Sequence, residues 1–183
     1  MIGAISHWQD QLQKTKEGFA EAFTHLSGTE LNWKPNAKTW SIGQNVEHLI
    51  IINETYFPIL DRLDKGTYKT PFIGRFGFMT KMLGNFILTS VLPETAKKTK
   101  TIPIWEPSAS EIPEDILTQF AAHQEVLAEK MAASRPHLEK GVLIASPANR
   151  HIAYTLERAF EIIVAHEQRH LKQAKEVMKK MIG

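Results

Sequence analysis

The sequence predicts an all-α fold, a four-helix bundle with a long irregular crossover between its second and third helices. Three observations lead there. Apolar residues recur at intervals of three and four over four long stretches, the period of a helix with one buried face. Glycine and proline collect between those stretches, where they punctuate helices. No strand-rich section, internal repeat or low-complexity tract is visible.

The 183 residues suit one domain, spanning 1–183, with a core of its own. Hydrophobic residues make up 43% and charged residues 23%, a globular balance. The formal net charge of +2 is too small to argue for a nucleic-acid partner. Lys97, Lys98 and Lys100 form the one local basic cluster, read as a solvated loop. The absence of cysteine excludes disulfides, thiolate metal ligands and a cysteine nucleophile. No secretory leader pattern and no apolar run of membrane-spanning length is present, so the expectation is a cytoplasmic protein without a membrane partner.

In chain order, Ile5, Trp8, Leu12, Phe19, Phe23 and Leu26 mark one face of a first helix, with Gly28 as its stop. His7 and His25 flank this stripe as surface residues. Residues 31–40 read as a loop anchored by Trp33 and Trp40. Ser41 and Gln44 match a capping box that starts a second helix running to about Leu63. Asn45, His48 or Leu49, Ile52, Tyr56, Ile59 and Leu63 form its inward stripe, and Pro58 marks a kink.

Residues 66–107 are the least regular part. Phe76, Met79, Met82 or Leu83, and Phe86 or Ile87 suggest a short amphipathic helix within it. The segment reads as a crossover covering one end of the bundle, or as a lid or dimer contact. Ser110 and Pro113 announce a third helix carrying Ile116, Phe120, His123, Leu127 and Met131. Pro136, Gly141 and Pro147 interrupt the link that follows, which also holds His137 and His151. Thr155 is a good N-cap for the last helix, with Glu157 in its first turn. The middle connection is long and the outer two are moderate, which allows an up-down-down-up order without fixing it.

The last helix carries the densest chemistry. Leu156, Ala159, Ile163, His166, His170, Ala174, Val177 and Met181 share one stripe. Two histidines four apart project from nearly one face, a spacing that lets two imidazoles meet one ion. His123 lies on the stripe of its own helix and reads as a core histidine, an additional ligand or a group behind the ligands.

His166-Glu167-Gln168-Arg169-His170 is also a literal H-E-x-x-H, the zinc-protease signature. The longer form of that motif needs a glycine and a final histidine, where this chain has Gln173 and Glu176. On a continuing helix Glu176 points about 240° away from His170. The protease reading therefore fails, and Glu167 reads as a boundary residue or a partner for an imidazole N–H. The better third ligand is His48. Three imidazoles leave coordination positions free for water or substrate, as in catalytic sites.

These motifs resemble the DinB/YfiT-like superfamily of four-helix-bundle proteins. The likeness rests on Leu31-Asn-Trp33-x-Pro35, on Trp40-Ser-Ile-Gly-Gln-Asn-Val-Glu-His48-Leu49 and on His166-Glu-x-x-His170-x-x-Gln173, and runs the length of the chain. It implies an up-down-down-up bundle, a divalent metal, zinc or nickel, on His48, His166 and His170, and often a dimer. It also implies a metal-dependent enzyme acting on a small-molecule substrate, a transferase or isomerase using a low-molecular-weight thiol such as bacillithiol, mycothiol or glutathione. The alternatives are a hydrolase using metal-bound water, and a non-catalytic, stress-associated metal-binding dimer. Glu47, Asn45, Gln44 and His123 are the nearest candidates for an acid, base or orienting role.

Overall fold

The structure is a computed structural model that describes residues 2–72, 77–95, 101–109 and 111–183. It is mostly helical. The long helices are α1 (Ile2–Phe23), α3 (Ile42–Glu54), α6 (Ile116–Ala133) and α8 (Leu156–Ile182). α1 packs on α6 and α8, and α3 packs on the same two. The shorter helices are α2 (Gly28–Asn32), α4 (Phe57–Asp64), α5 (Gly77–Val91) and α7 (Arg135–Glu139). No helix among the described residues is long and apolar enough to cross a membrane. The lysine cluster at Lys97, Lys98 and Lys100 and the helix markers Phe76 and Ser110 lie outside the described residues.

Where the helices begin follows the expected capping chemistry. Ser41 accepts from the Gln44 amide at 3.0 Å, and the Gln44 side chain accepts from the Ser41 amide at 3.2 Å. Thr155 accepts from the Arg158 amide at 3.1 Å and opens α8. Pro58 does more than kink the second helix. The chain breaks at Thr55 and Tyr56 and restarts as α4, with Pro58 in its first turn, where a missing N–H costs nothing.

Two expectations are corrected. Gly28 does not end the first helix. It opens the short helix α2, because Ser27 and Glu30 form a second capping box. The link before α8 is not purely irregular. Leu143–Ser146 (β1) and Asn149–Thr155 (β2) pair as an antiparallel hairpin with Leu143 opposite Thr155. The all-α expectation holds broadly, with this one small sheet added to a mostly helical chain. In α5 the large apolar residues face outward, with Phe78 81%, Met82 50% and Phe86 72% exposed. Its buried face is made of Thr80 and Gly84, flanked by Ile87, Leu88 and Val91. A Cβ on Gly84 would stand 3.0 Å from Arg158 Cγ and 3.1 Å from Tyr154 Cβ, so glycine is what lets α5 lie against β2 and α8.

The core has two apolar clusters. Phe19, Leu49, Phe120 and Ala174 belong to one, and Leu12, Leu60, Leu127 and Ile163 to the other. Between them each long helix contributes a buried polar residue: Thr15 from α1, Asn53 from α3, Gln124 from α6 and Glu167 from α8. Phe160 anchors one cluster, edge-on to Trp8 with ring centroids 5.5 Å apart. Phe160→Ala is expected to cost about 3–5 kcal/mol of unfolding free energy, measured by denaturant titration.

Candidate metal centre

His48, His166 and His170 meet on the face where α3 packs on α8. Nε2 of His166 lies 3.4 Å from Nε2 of His48 and 3.0 Å from Nε2 of His170. The opposite ring nitrogens are spoken for. Nδ1–H of His48 donates to the Trp105 carbonyl at 2.6 Å, and Nδ1–H of His170 donates to Oδ1 of Asn45 at 2.8 Å. The Asn45 amide is oriented in turn, since its Nδ2 donates to the Ser41 carbonyl at 2.8 Å. With their protons held at Nδ1, His48 and His170 both turn Nε2 lone pairs toward His166.

That arrangement passes a test of fit for a divalent ion. Imidazole nitrogens about 2.0–2.1 Å from one ion stand about 2.8–3.4 Å apart between octahedral and tetrahedral angles. The protonation state also suits it. Burial is the main cause that lowers the pKa of all three rings, well below the ordinary histidine value for His166 and His170. Each of those two also feels the neighbouring imidazoles and the Arg169 guanidinium. Neutral imidazole is the ligating form. The three histidines form a group able to hold a metal ion, with His166 the most exposed of them.

The surroundings close over this centre from several elements. Trp40 stacks on His170 at 5.9 Å between centroids and lies 4.8 Å from the His48 ring. The segment after the 3₁₀ turn Pro103–Trp105 is strapped to α3. Gln44 Nε2 donates to the Ser108 carbonyl at 2.8 Å, and the Ser108 amide donates to Glu47 at 2.5 Å. The indole N–H of Trp105 is buried and has no hydrogen-bond partner among the described residues. Arg169 ties α8 to the end of α5, donating to the Ser90 carbonyl at 2.5 Å.

The sequence-predicted candidates therefore separate. Asn45 orients a ring, while Gln44 and Glu47 hold the strap. His123 stands apart, stacked on Phe57 with centroids 5.3 Å apart, and its buried Nε2 has no partner among the described residues. Glu167 is neither a boundary residue nor a partner of an imidazole. It is fully buried, and its Oε1 accepts from Asn53 Nδ2 at 2.7 Å and Gln124 Nε2 at 2.8 Å. Burial pushes its carboxyl up to about 7 against the lowering effect of those two bonds. The residues sequence reasoning missed are Trp105, which acts through a backbone carbonyl that no side-chain pattern signals, and Trp40 as a lid on the rings.

A mostly helical protein with three converging histidines at the contact of two long helices is the class these features define. A family model described as the DinB superfamily matches residues 11–174, and the chain belongs to that superfamily. No curated protein and no solved structure gives a significant match.

The histidines set an acid limit on the metal-free fold. An unfolded histidine binds its proton near pH 6.5, whereas His123 is held down to about 4 by burial and the three centre histidines are also lowered. Below pH 6.5 the unfolded chain thus binds more protons, and stability falls as pH drops. Glu167 works in the opposite sense, weakening the fold as pH rises from about 4.5 to about 7. Four histidines outweigh one carboxyl. The melting temperature of metal-free protein is expected to rise by several degrees between pH 4.5 and 6.5, and Glu167→Gln is expected to steepen that rise in a thermal unfolding series.

Proposed function

We propose that this protein is a divalent-metal-dependent enzyme, most simply a thiol-dependent transferase or isomerase acting on a small electrophile. His48, His166 and His170 hold zinc or nickel, both suited to imidazole. The observation that carries the reading is the convergence of three Nε2 atoms, two of them fixed as lone-pair donors by the Trp105 carbonyl and Asn45. A bound divalent ion supplies Lewis acidity and lowers the pKa of a thiol or water that reaches it.

The chain's own groups supply the rest. Asn45 and the Trp105 carbonyl keep the proton at Nδ1 of His170 and His48, and Trp40 shields the rings from bulk water. The unpaired Trp105 indole N–H is a donor for a polar group of the substrate. In a transfer reaction the thiol sulfur forms the new bond to the electrophilic carbon. The leaving group departs with its electron pair, and the thiol proton passes to solvent.

The proposal extends to a single domain over 1–183 with the helices in up-down-down-up order, which the long connection between α3 and α6 supports, since parallel neighbours need a crossover. It also extends to a homodimer, supported by the outward apolar face of α5, where Phe78, Met82 and Phe86 lie within one helical arc.

Elemental analysis of untagged protein tests the centre first. About one zinc or nickel per chain is expected, lost in a variant with His48, His166 and His170 all changed to Ala. Protein that holds no metal and refuses added zinc and nickel overturns the reading. Asn45→Ala is expected to weaken metal affinity by about 10–100-fold in a competitive chelator titration. With metal bound, turnover of an electrophile panel that requires an added thiol supports the transferase or isomerase. Turnover without thiol supports hydrolysis instead.

A further inference from the structure

Another concavity of the molecule is lined by none of the three histidines and differs from their site in chemistry. It is a groove of about 620 Å³ between α4, the segment that follows it and the β1–β2 hairpin, beyond the C-terminal end of α3. That volume falls in the range of small-molecule sites. Arg62, Lys69 and Arg150 line it, with His151 beside them, and no Asp or Glu is among the lining residues. The whole chain carries a formal charge of only +2, so three uncompensated cations in one concavity stand well above the background.

The acids of α4 are drawn elsewhere. Asp61 pairs with Lys130 of α6 at 2.5 Å, and Asp64 pairs with His137 of α7 at 3.0 Å. Lys69 and Arg150 have no carboxylate partner among the described residues.

The groove is also held in shape. Arg62 Nε donates to the Pro58 carbonyl at 3.1 Å, and its guanidinium lies 5.7 Å from the centroid of the Tyr68 ring. The Thr67 and Tyr68 amides fold back onto the Arg62 carbonyl at 2.9 and 3.0 Å, around Gly66 at φ +65°. The Tyr68 hydroxyl accepts the Ala145 amide at 2.8 Å, which ties this turn to β1 and leaves its own proton to donate. Pro58, Ile59 and Pro147 supply apolar wall. A pre-set guanidinium, two further cations, a phenol donor and an apolar wall together select one kind of ligand.

We propose that this groove binds a small organic anion, a carboxylate or phosphate carried on an apolar or aromatic body. The oxyanion sits among Arg62, Lys69 and Arg150, and the body lies against Tyr68 and Ile59. The site stands independently of the metal centre, since none of the three histidines lines it.

The test is isothermal titration of the full chain, stripped of metal, with phenyl phosphate, benzoate, inorganic phosphate and benzyl alcohol. Saturable binding of phenyl phosphate or benzoate is expected, several-fold tighter than inorganic phosphate and weakening as salt rises, with no binding of benzyl alcohol. The preference between the first two identifies the oxyanion. Arg150→Glu, an exposed hairpin position, is expected to weaken binding roughly tenfold. Lys69→Glu serves the same purpose if the hairpin change disturbs folding. His166→Ala is expected to leave binding unchanged. Absence of saturable binding, or binding that survives both charge reversals, overturns the proposal. So does binding lost in His166→Ala, which would move the anion to the histidine centre.

Discussion

The constraint on which the rest depends is the burial of one carboxyl group. Glu167 sits among the long helices between two apolar clusters, with Asn53 and Gln124 as its hydrogen-bond donors. A buried carboxyl without donors is costly, so α3, α6 and α8 must stand at the heights that bring those amides to it. A slip of α8 by one turn would leave Glu167 facing an apolar layer. It would also move His166 and His170 away from His48, because all three belong to the same pair of helices. The polar layer thus acts as a register pin, and the geometry of the histidine cluster inherits its precision.

Much of the candidate site could be read from the sequence because it depends on local rules. His166 and His170 are one helical turn apart on the stripe that also carries Ile163 and Ala174, so spacing and burial pointed to the same face. Ser41 and Thr155 fixed two helix starts through capping chemistry that needs only neighbouring residues. His48 is harder, because periodicity leaves its place on the inward stripe ambiguous with Leu49, and it stands out only once the His166–His170 pair calls for a third ligand.

What stayed hidden depends on contacts between distant residues. The carbonyl of Trp105 orients a ring 57 positions away, and a backbone acceptor has no residue signature. The face that α5 buries follows from close approach through Gly84, which depends on Tyr154 and Arg158 far along the chain. The hairpin at residues 143–155 escaped notice because its outer half is polar and exposed at Asn149, Arg150 and His151, which weakens alternation. The role of Glu167 is not legible locally because its partners Asn53 and Gln124 lie on two other helices.

The strap across α3 has a topological consequence. It joins the histidine centre to the crossover that carries α5, and the hydrogen bond at Trp105 spans a loop closed far from either helix end. A chain cut between α5 and Trp105 would keep all three imidazoles but leave His48 on one fragment and Trp105, His166 and His170 on the other. It would replace an intramolecular clamp on one ring with a bimolecular one, at the mercy of dilution. The centre's alignment is therefore a property of the unbroken chain, even though every side chain in the histidine cluster belongs to two helices.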